Sequence, residues 1–520
     1  MSYVLHNAEP ILRRRVIASL EQRFGALVEL DALHISLLQG LEVSGSGLRI
    51  FPLTEQNPAG AQPILSVESF EFRTGLRGLF EPVMRVNTVR VDGMRLNIPP
   101  KQDRGSLAPG GKSLGKLKLS IVMDKIVCRN LTLTIETNKP GKAPLIFDIH
   151  DLTLHDVGPG RPFPFEASLV NPKPEGNIHS TGQFGPWAGA DPRDTPLDGS
   201  YSFTNADLAT IKGIAGTLSS TGRYSGTLGE IGVVGTTETP NFALDVSEHP
   251  VDLRTEFDAT VDGTTGDTKL NSVRATLLHT VLQVDGTVMR ASNMPGGVAN
   301  ESGHFIDISV ASNQARIEDV LRLGAKNSPP LMQGALTLRA RLTIPPGHVS
   351  VTKKIRVQGT FNIRGATFSN PQWQQTVDKL SQRASGNPGQ ANAADAARVV
   401  SQMSGSFALA NAMLDVPKLN YQIPGAQVDL AGKYGLDGDT FDFAGTVRTK
   451  ATASQMLTGW KSILAMPLDH LLKKDGAGLE VPIKISGTKS QPKLGLDLDK
   501  LFARPKQTKQ QGQQPSVQRP

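Results

Sequence analysis

Cysteine and aromatic side chains are scarce in this chain of 520 residues. A single cysteine, Cys128, excludes an intramolecular disulfide, so cysteine usage does not indicate a redox compartment. Because Cys128 occupies an apolar position of a strand pattern, we expect a buried thiol. Five tyrosines and three tryptophans provide few rings for stacking on bases. The net charge is +7, but lysine and arginine are spread along the chain, which argues against a nucleic-acid partner.

Long apolar runs are also missing. No stretch approaches the ~20 apolar residues of a membrane-spanning helix. The first nine residues hold too short an apolar core for a signal peptide. Apolar residues make up 38% of the chain, whereas glycine and proline number 52 and 35. This balance predicts many turns, few helices and a sheet with one solvated face.

Alternating apolar and polar residues dominate the sequence and are clearest in 405–447. Successive side chains of a strand point to opposite faces, so the alternation predicts strands with one apolar face. Asp437-Gly438 lies between two alternating runs and is a strong hairpin signal. Similar runs continue from 27 to 500 without a clear polar linker. The sequence therefore predicts a meander of antiparallel strands.

A short internal repeat follows the pattern apolar-x-apolar-x-x-apolar-x-apolar. Its two most extended copies are Met84–Ile98 and Ile121–Ile135, which are offset by 37 residues (121 minus 84). Self-similarity of this kind favours a repeat array. The two consecutive polar positions (x-x) in the middle of this pattern, which we call the doubled polar position, add one residue to the alternation. The side chains after them would point to the opposite face unless a β-bulge absorbs the extra residue. We therefore expect long strands that bend at bulges and curl the sheet.

Helical spacing of apolar residues interrupts the strand pattern. From Pro10 to Phe24 it predicts a helix that either covers the first sheet edge or lies on a membrane surface. Further helices are expected at 309–322, at 372–403 with a break at 385–389, and at 453–474. Six regions follow in order: an amphipathic N-terminal helix (1–26), a repeat-like part of the β trough (27–158), a middle β region (159–370), a helical insertion (371–404), a C-terminal region (405–502) and a disordered tail (503–520).

Signals for catalysis and metal binding are weak. The segment 111–113, Gly-Lys-Ser, resembles the end of a phosphate-binding loop, but Ser106 stands where its first glycine is required. His-Asp pairs at 150–151 and 155–156 suggest metal ligands, yet residues five apart face opposite sides of a regular strand. We expect no catalytic residue, no metal site and no cofactor, and hence no enzymatic activity.

The apolar face has two interpretations from its residues alone. It is either ordinary core packed on a second layer, or the lining of a trough that holds lipid chains. Because single cores stop growing near ~250–300 residues, a chain of 520 residues would make an unusually large closed core, which favours the trough. The candidate lining residues are Phe407, Leu409, Val428, Leu430, Tyr434, Leu436, Phe441, Phe443 and Val447.

Sequence blocks at both ends of the chain resemble AsmA-like proteins. Those in the C-terminal part begin at Ser404 (Ser-Gly-Ser-Phe-Ala-Leu-Ala-Asn), Tyr421 (Tyr-Gln-Ile-Pro-Gly-Ala-Gln-Val-Asp-Leu-Ala-Gly-Lys-Tyr), Ser454 (Ser-Gln-Met-Leu-Thr-Gly-Trp-Lys-Ser) and Val481 (Val-Pro-Ile-Lys-Ile-Ser-Gly-Thr). Near the start, Pro10 opens the block Pro-Ile-Leu-Arg-Arg-Arg-Val-Ile. The middle of the chain, 159–331, shows no such resemblance.

The resemblance implies a fold like that of bridge-like lipid-transfer proteins. We expect a mostly β protein whose elongated antiparallel sheet is curled into a hydrophobic trough, with N-terminal and C-terminal capping helices. The family also implies an inner-membrane anchor and a periplasmic body. Only nine residues precede Pro10, where the family places its transmembrane helix. We expect a start codon placed too far downstream rather than an unanchored protein.

The function implied by the resemblance is lipid transport in the cell envelope. The chain would hold or conduct phospholipid acyl chains in a hydrophobic β groove between the inner and outer membranes. Its partners would be phospholipids, the bacterial inner membrane and outer-membrane components. The alternative is a scaffold or assembly factor for outer-membrane protein biogenesis, in which the apolar face is core or an edge strand pairs with a client.

Overall fold

The described part of the chain is mostly β-strand, as the alternation predicts. The computed structural model describes residues 10, 13, 14, 16–18, 20, 21, 26–36, 41–51, 62–74, 83–98, 120–135, 145–188, 191–247, 249–290, 303–324, 328–347, 349–386, 398–435, 440–451, 480–488 and 492–496. None of the helices in these ranges is long and apolar enough to span a membrane.

The strands vary from short edge pieces to runs of 16 residues. They are β1 (Leu27–Glu29), β2 (Ala32–Ser36), β3 (Leu41–Phe51), β4 (Leu65–Thr74), β5 (Val83–Ile98), β6 (Ser120–Ile135), β7 (Leu145–Val157), β8 (Phe163–Pro172), β9 (Glu175–Phe184), β10 (Pro196–Asp207), β11 (Ile214–Ala215), β12 (Thr217–Thr227), β13 (Glu230–Leu244), β14 (Val251–Val261), β15 (Thr268–Leu277), β16 (Thr280–Arg290), β17 (His304–Arg316), β18 (Met332–Ile344), β19 (Arg356–Phe368), β20 (Ser401–Ala410), β21 (Met413–Ile423), β22 (Ala426–Gly435), β23 (Thr440–Thr449), β24 (Glu480–Thr488) and β25 (Pro492–Leu496). The helices with assigned bounds are α1 (Ile317–Gly324), α2 (Val351–Lys354) and α3 (Pro371–Ala384).

The chain divides into two compact units. The first comprises Met1–Ala315, Asp319–Ser328 and Ala340–Ile355. The second comprises Arg316–Glu318, Pro329–Arg339 and Arg356–Pro520. Within each unit most strands pair antiparallel with a strand close to them in sequence. The prediction of a mostly antiparallel β protein is therefore confirmed.

Helical residues near the N-terminus pack against the first strands. Between residues 10 and 21 every described residue is helical. Ile17 and Leu20 pack against buried side chains of β1 and β3. Arg13 donates through Nη1 to the carbonyl oxygen of Asp31 at 3.0 Å. The apolar side of these helical residues therefore lies on the sheet, while Arg13 stays exposed.

The two extended copies of the repeat become neighbouring strands, β5 and β6, that pair in parallel. Their partners keep one offset of 37 residues, from Val83 opposite Ser120 to Ile98 opposite Ile135 (120 minus 83, 135 minus 98). Equivalent positions of the two copies therefore lie side by side on one face. Parallel neighbours require a connection that returns along the strand. Residues 99–119, which connect them, lie outside the described part.

The two consecutive polar residues of the repeat lie at the same level in neighbouring strands, where the backbone is kinked. The ladders from β3 to β6 skip Gly47, Glu68, Gly93 and Asn130 at one level. Gly47, Gly93 and Asn130 have positive φ angles of 66°, 62° and 52°. Because both partners carry the extra residue, the register stays constant and the apolar residues on both sides of the kink share a face. The ladders from β3 to β6 thus keep their register without the one-sided β-bulges that the sequence predicts, whereas β7 has a register shift opposite β8.

The predicted helix at 309–322 is wrong in its first half. β17 continues to Arg316, and only the residues of α1 are helical. Ile308 and Val310 alternate with polar residues and pair with β16. This period of two is the period of a strand, and pairing with a neighbour outweighs the weaker helical spacing.

Antiparallel strands β19 to β25 and helix α3 form most of the second unit. β19 to β25 pair in sequence order. α3 occupies the first half of the predicted helical region 372–403, and residues 398–400 have no regular structure. The rest of the predicted second helix there lies outside the described residues. The predicted helix at 453–474 and the predicted tail at 503–520 also lie outside them.

Candidate functional site: the apolar face of the second unit

The register of the second unit arranges its apolar residues in four rows that cross β19 to β24. Paired residues of neighbouring strands lie on one face of a sheet. The first row is Ile363, Met403, Tyr421, Val428, Val447 and Val481, and the second is Phe361, Gly405, Leu419, Leu430, Gly445 and Ile483. The third row is Gly359 and Phe407 and, across a register shift between β20 and β21, Val416, Gly432, Phe443 and Ile485. The fourth row is Val357, Leu409, Leu414, Tyr434, Phe441 and Gly487. We call these rows together the apolar face.

The predicted lining residues are distributed over all four rows. Leu436 is not assigned to a row, since it lies outside the described residues. Val428 is only 6% exposed, so it belongs to a packed core. The remaining candidates are partly exposed, and they are Phe407, Leu409, Leu430, Tyr434, Phe441, Phe443 and Val447. The structure therefore brings the predicted residues together on one face but separates Val428 from the others by burial.

Helix α3 begins and ends at residues that favour helix termini. Asn370 is the N-cap, and its side chain accepts hydrogen bonds from the backbone N–H groups of Gln372 and Trp373 at 2.8 and 3.3 Å. Pro371 occupies the first turn, where its missing N–H costs nothing. After the last turn Gly386 adopts a φ of 83°, a conformation that glycine tolerates best.

Helix α3 packs against part of the first row of the apolar face. Val377 and Leu380 point from the helix into a buried cluster. The buried members of this cluster are Ala384, Val399, Tyr421, Ile423, Ala426 and Val428. Burial raises the pKa of the Tyr421 phenol, which keeps that group neutral. Tyr421 and Val428 of the first row therefore belong to a core beneath α3, whereas Met403 and Val447 of the same row pack against this core and stay partly exposed.

Hydrogen bonds from buried groups hold α3 on the sheet. The side chain of Gln374, 5% exposed, accepts from the backbone N–H of Phe368 at 2.8 Å and donates to the carbonyl oxygen of Val399 at 3.0 Å. The Ser381 hydroxyl donates to the carbonyl oxygen of Pro424 at 2.8 Å. Each of these bonds satisfies a polar group that burial would otherwise leave without a partner.

Glycines on the apolar face allow close approach of neighbouring residues. A methyl group at Gly432 would lie 2.6 Å from both the Cα atom and a ring carbon of Phe443. At Gly405 it would lie 3.2 Å from the ring of Phe361. A methyl group added at Gly495, on the polar face, would have no atom within 4 Å. The rings of the apolar face thus lie directly over glycines of the next strand.

The opposite face of this sheet carries charged residues. Asp429 accepts hydrogen bonds from Asn420 and Arg448, both at 2.7 Å. The bond from Asn420, with further contributions from Gln427 and Arg448, holds the pKa of Asp429 below its usual value. Because Asp429 is ionised at neutral pH and this face is hydrated, the sheet presents one charged and one apolar side.

The other candidate sites from the sequence do not gather into a site. His150 and Asp151 are exposed on β7. In the described ranges no three His, Cys, Asp or Glu side chains lie together in a way that could hold a metal ion. Cys128 is 5% exposed, and burial raises the pKa of its thiol. The phosphate-loop-like segment 111–113 lies outside the described residues.

Comparisons with protein-family models, with curated proteins and with solved structures return no match for this chain. The resemblance to AsmA-like proteins therefore rests on the sequence blocks alone. Sequence reasoning did not separate the part of the first row beneath α3 from the rest of the apolar face. The sequence signal that could have predicted this separation is Asn370-Pro371, which marks a helix start just after the end of β19.

Proposed function

We propose that this chain holds or conducts phospholipid acyl chains in a hydrophobic β groove of the bacterial envelope, between the inner and outer membranes. The observation that carries the proposal is the partial exposure of the second to fourth rows of the apolar face, in which Val416 alone is buried. The second to fourth rows consist of Leu, Ile, Val, Phe, Tyr and Gly and contain no charged residue. An apolar surface that continues over several strands is typical of a binding surface for apolar ligands.

Transfer of acyl chains from water to such a surface needs no covalent step. Each CH₂ group removed from water contributes ~0.8 kcal/mol. The phospholipid headgroup stays in water, so the groove requires little polar specificity. The proposed mechanism is therefore shielding of the acyl chains along the sheet, with no catalytic residue and no cofactor.

The contrast between the two faces of the sheet supports a groove. Charged groups such as Asp429 and Arg448 form an ion pair at 2.7 Å on the polar face. This face suits contact with water, while Phe443 and Phe407 on the opposite face remain partly exposed. Gly432 leaves room on the apolar face for the ring of its partner Phe443.

The envelope location in this proposal comes from the sequence blocks that resemble AsmA-like proteins. In that family the β-rich body lies in the periplasm and is anchored in the inner membrane. Phospholipids of the inner membrane would then be the source of the acyl chains, and outer-membrane components would receive them.

Lipid mass spectrometry on the purified full chain tests the proposal. The chain is expressed in the periplasm with a supplied signal peptide, and the bound lipids are extracted and quantified. We expect co-purified phospholipid, and a loss of most of it in the Phe443→Asp variant. A charge on the apolar face would have to be desolvated when an acyl chain binds, and this cost opposes binding.

The matched control is Ala431→Asp, which adds the same charge to an exposed position of the polar face. This variant should retain the lipid content of the parent protein. Circular dichroism confirms that each variant is folded. A folded parent protein without bound phospholipid would refute the proposal and favour the scaffold alternative, in which protein partners bind instead.

A further inference from the structure

We draw no further inference here: the strongest candidate, the side-chain cluster on one face of β9, β10 and β12 in which the hydroxyl groups of Tyr224 and Ser180 lie 2.7 Å apart and those of Tyr201 and Ser220 lie 3.0 Å apart, belongs to a face of the first unit's sheet for which nothing in the described part of the structure shows what covers it.

Discussion

Two aspartate substitutions on the same face should have very different effects on the second unit. Val428 lies in the first row beneath α3 and is 6% exposed. Phe443 lies in the third row and is partly exposed. Val428→Asp introduces a carboxylate into the core, whereas Phe443→Asp introduces one at a surface that water reaches. The first variant should unfold the second unit, and the second should leave it folded but without the phospholipid that we propose it binds.

The expected magnitudes follow from burial. Replacing a buried valine loses about 1.5–3 kcal/mol of transfer free energy. Burial that raises the pKa of the new aspartate by about 3 units adds ~4 kcal/mol at neutral pH, at 1.36 kcal/mol per unit. The sum, about 5.5–7 kcal/mol, equals the whole stability of a domain at the lower end of the typical range of ~5–15 kcal/mol. At Phe443 the carboxylate stays hydrated, and the loss of a partly buried ring should cost only about 1–2 kcal/mol.

Tryptophan fluorescence during urea denaturation measures both effects. Trp373 lies on α3, is 41% exposed and has its ring centroid 6.1 Å from that of Phe368. Its emission therefore reports whether α3 remains on the sheet, once the other two tryptophans are replaced by phenylalanine. Equal losses of unfolding free energy in the two variants would refute the reasoning, because Phe443 would then be core in the same sense as Val428.

Three further substitutions test the contacts of the second unit. Gln374→Ala should lower the free energy of unfolding by about 2–4 kcal/mol, because it leaves the partly buried N–H of Phe368 and the buried C=O of Val399 without this partner. The exposed neighbour Gln375→Ala should change it by less than about 0.5 kcal/mol in the same urea experiment, and similar losses would contradict the role of Gln374. Gly432→Ala should cost about 1–3 kcal/mol through overpacking, whereas Gly495→Ala, in open space, should be neutral or stabilise by up to ~1 kcal/mol. An unchanged melting temperature for Gly432→Ala would exclude the close approach. Because the pKa of Asp429 is lowered in the folded state, its contribution to stability is present above the unfolded pKa of ~3.9 and is lost as the pH falls through the folded value. Asp429→Asn should therefore reduce the loss of unfolding free energy that the parent protein shows as the pH is lowered from about 7 to about 3, measured by urea denaturation. An unchanged dependence of the unfolding free energy on pH would show that the hydrogen bonds of Asp429 contribute nothing to stability.

Local patterns in the sequence were sufficient to predict the two faces of the sheet. The alternation in 405–447 predicts which side chains share a face, because the period of two belongs to the strand backbone itself. The doubled polar positions predict kinks for the same reason, and Gly93 and Asn130 carry them with positive φ angles of 62° and 52°. Asn370 and Pro371 likewise mark the start of α3, since helix capping depends only on neighbouring residues.

Contacts between distant residues decided the rest. The repeat predicts that Met84–Ile98 and Ile121–Ile135 are alike, but only the tertiary structure makes them parallel neighbours. In the same way, the bond between Ser381 and Pro424 joins residues 43 apart and helps to hold α3 over the first row. Val428 and Phe443 follow the same alternation in sequence and differ only in what lies above them. Periodicity determines the face of a residue, whereas burial depends on which distant segment packs there, and a local pattern does not encode that packing.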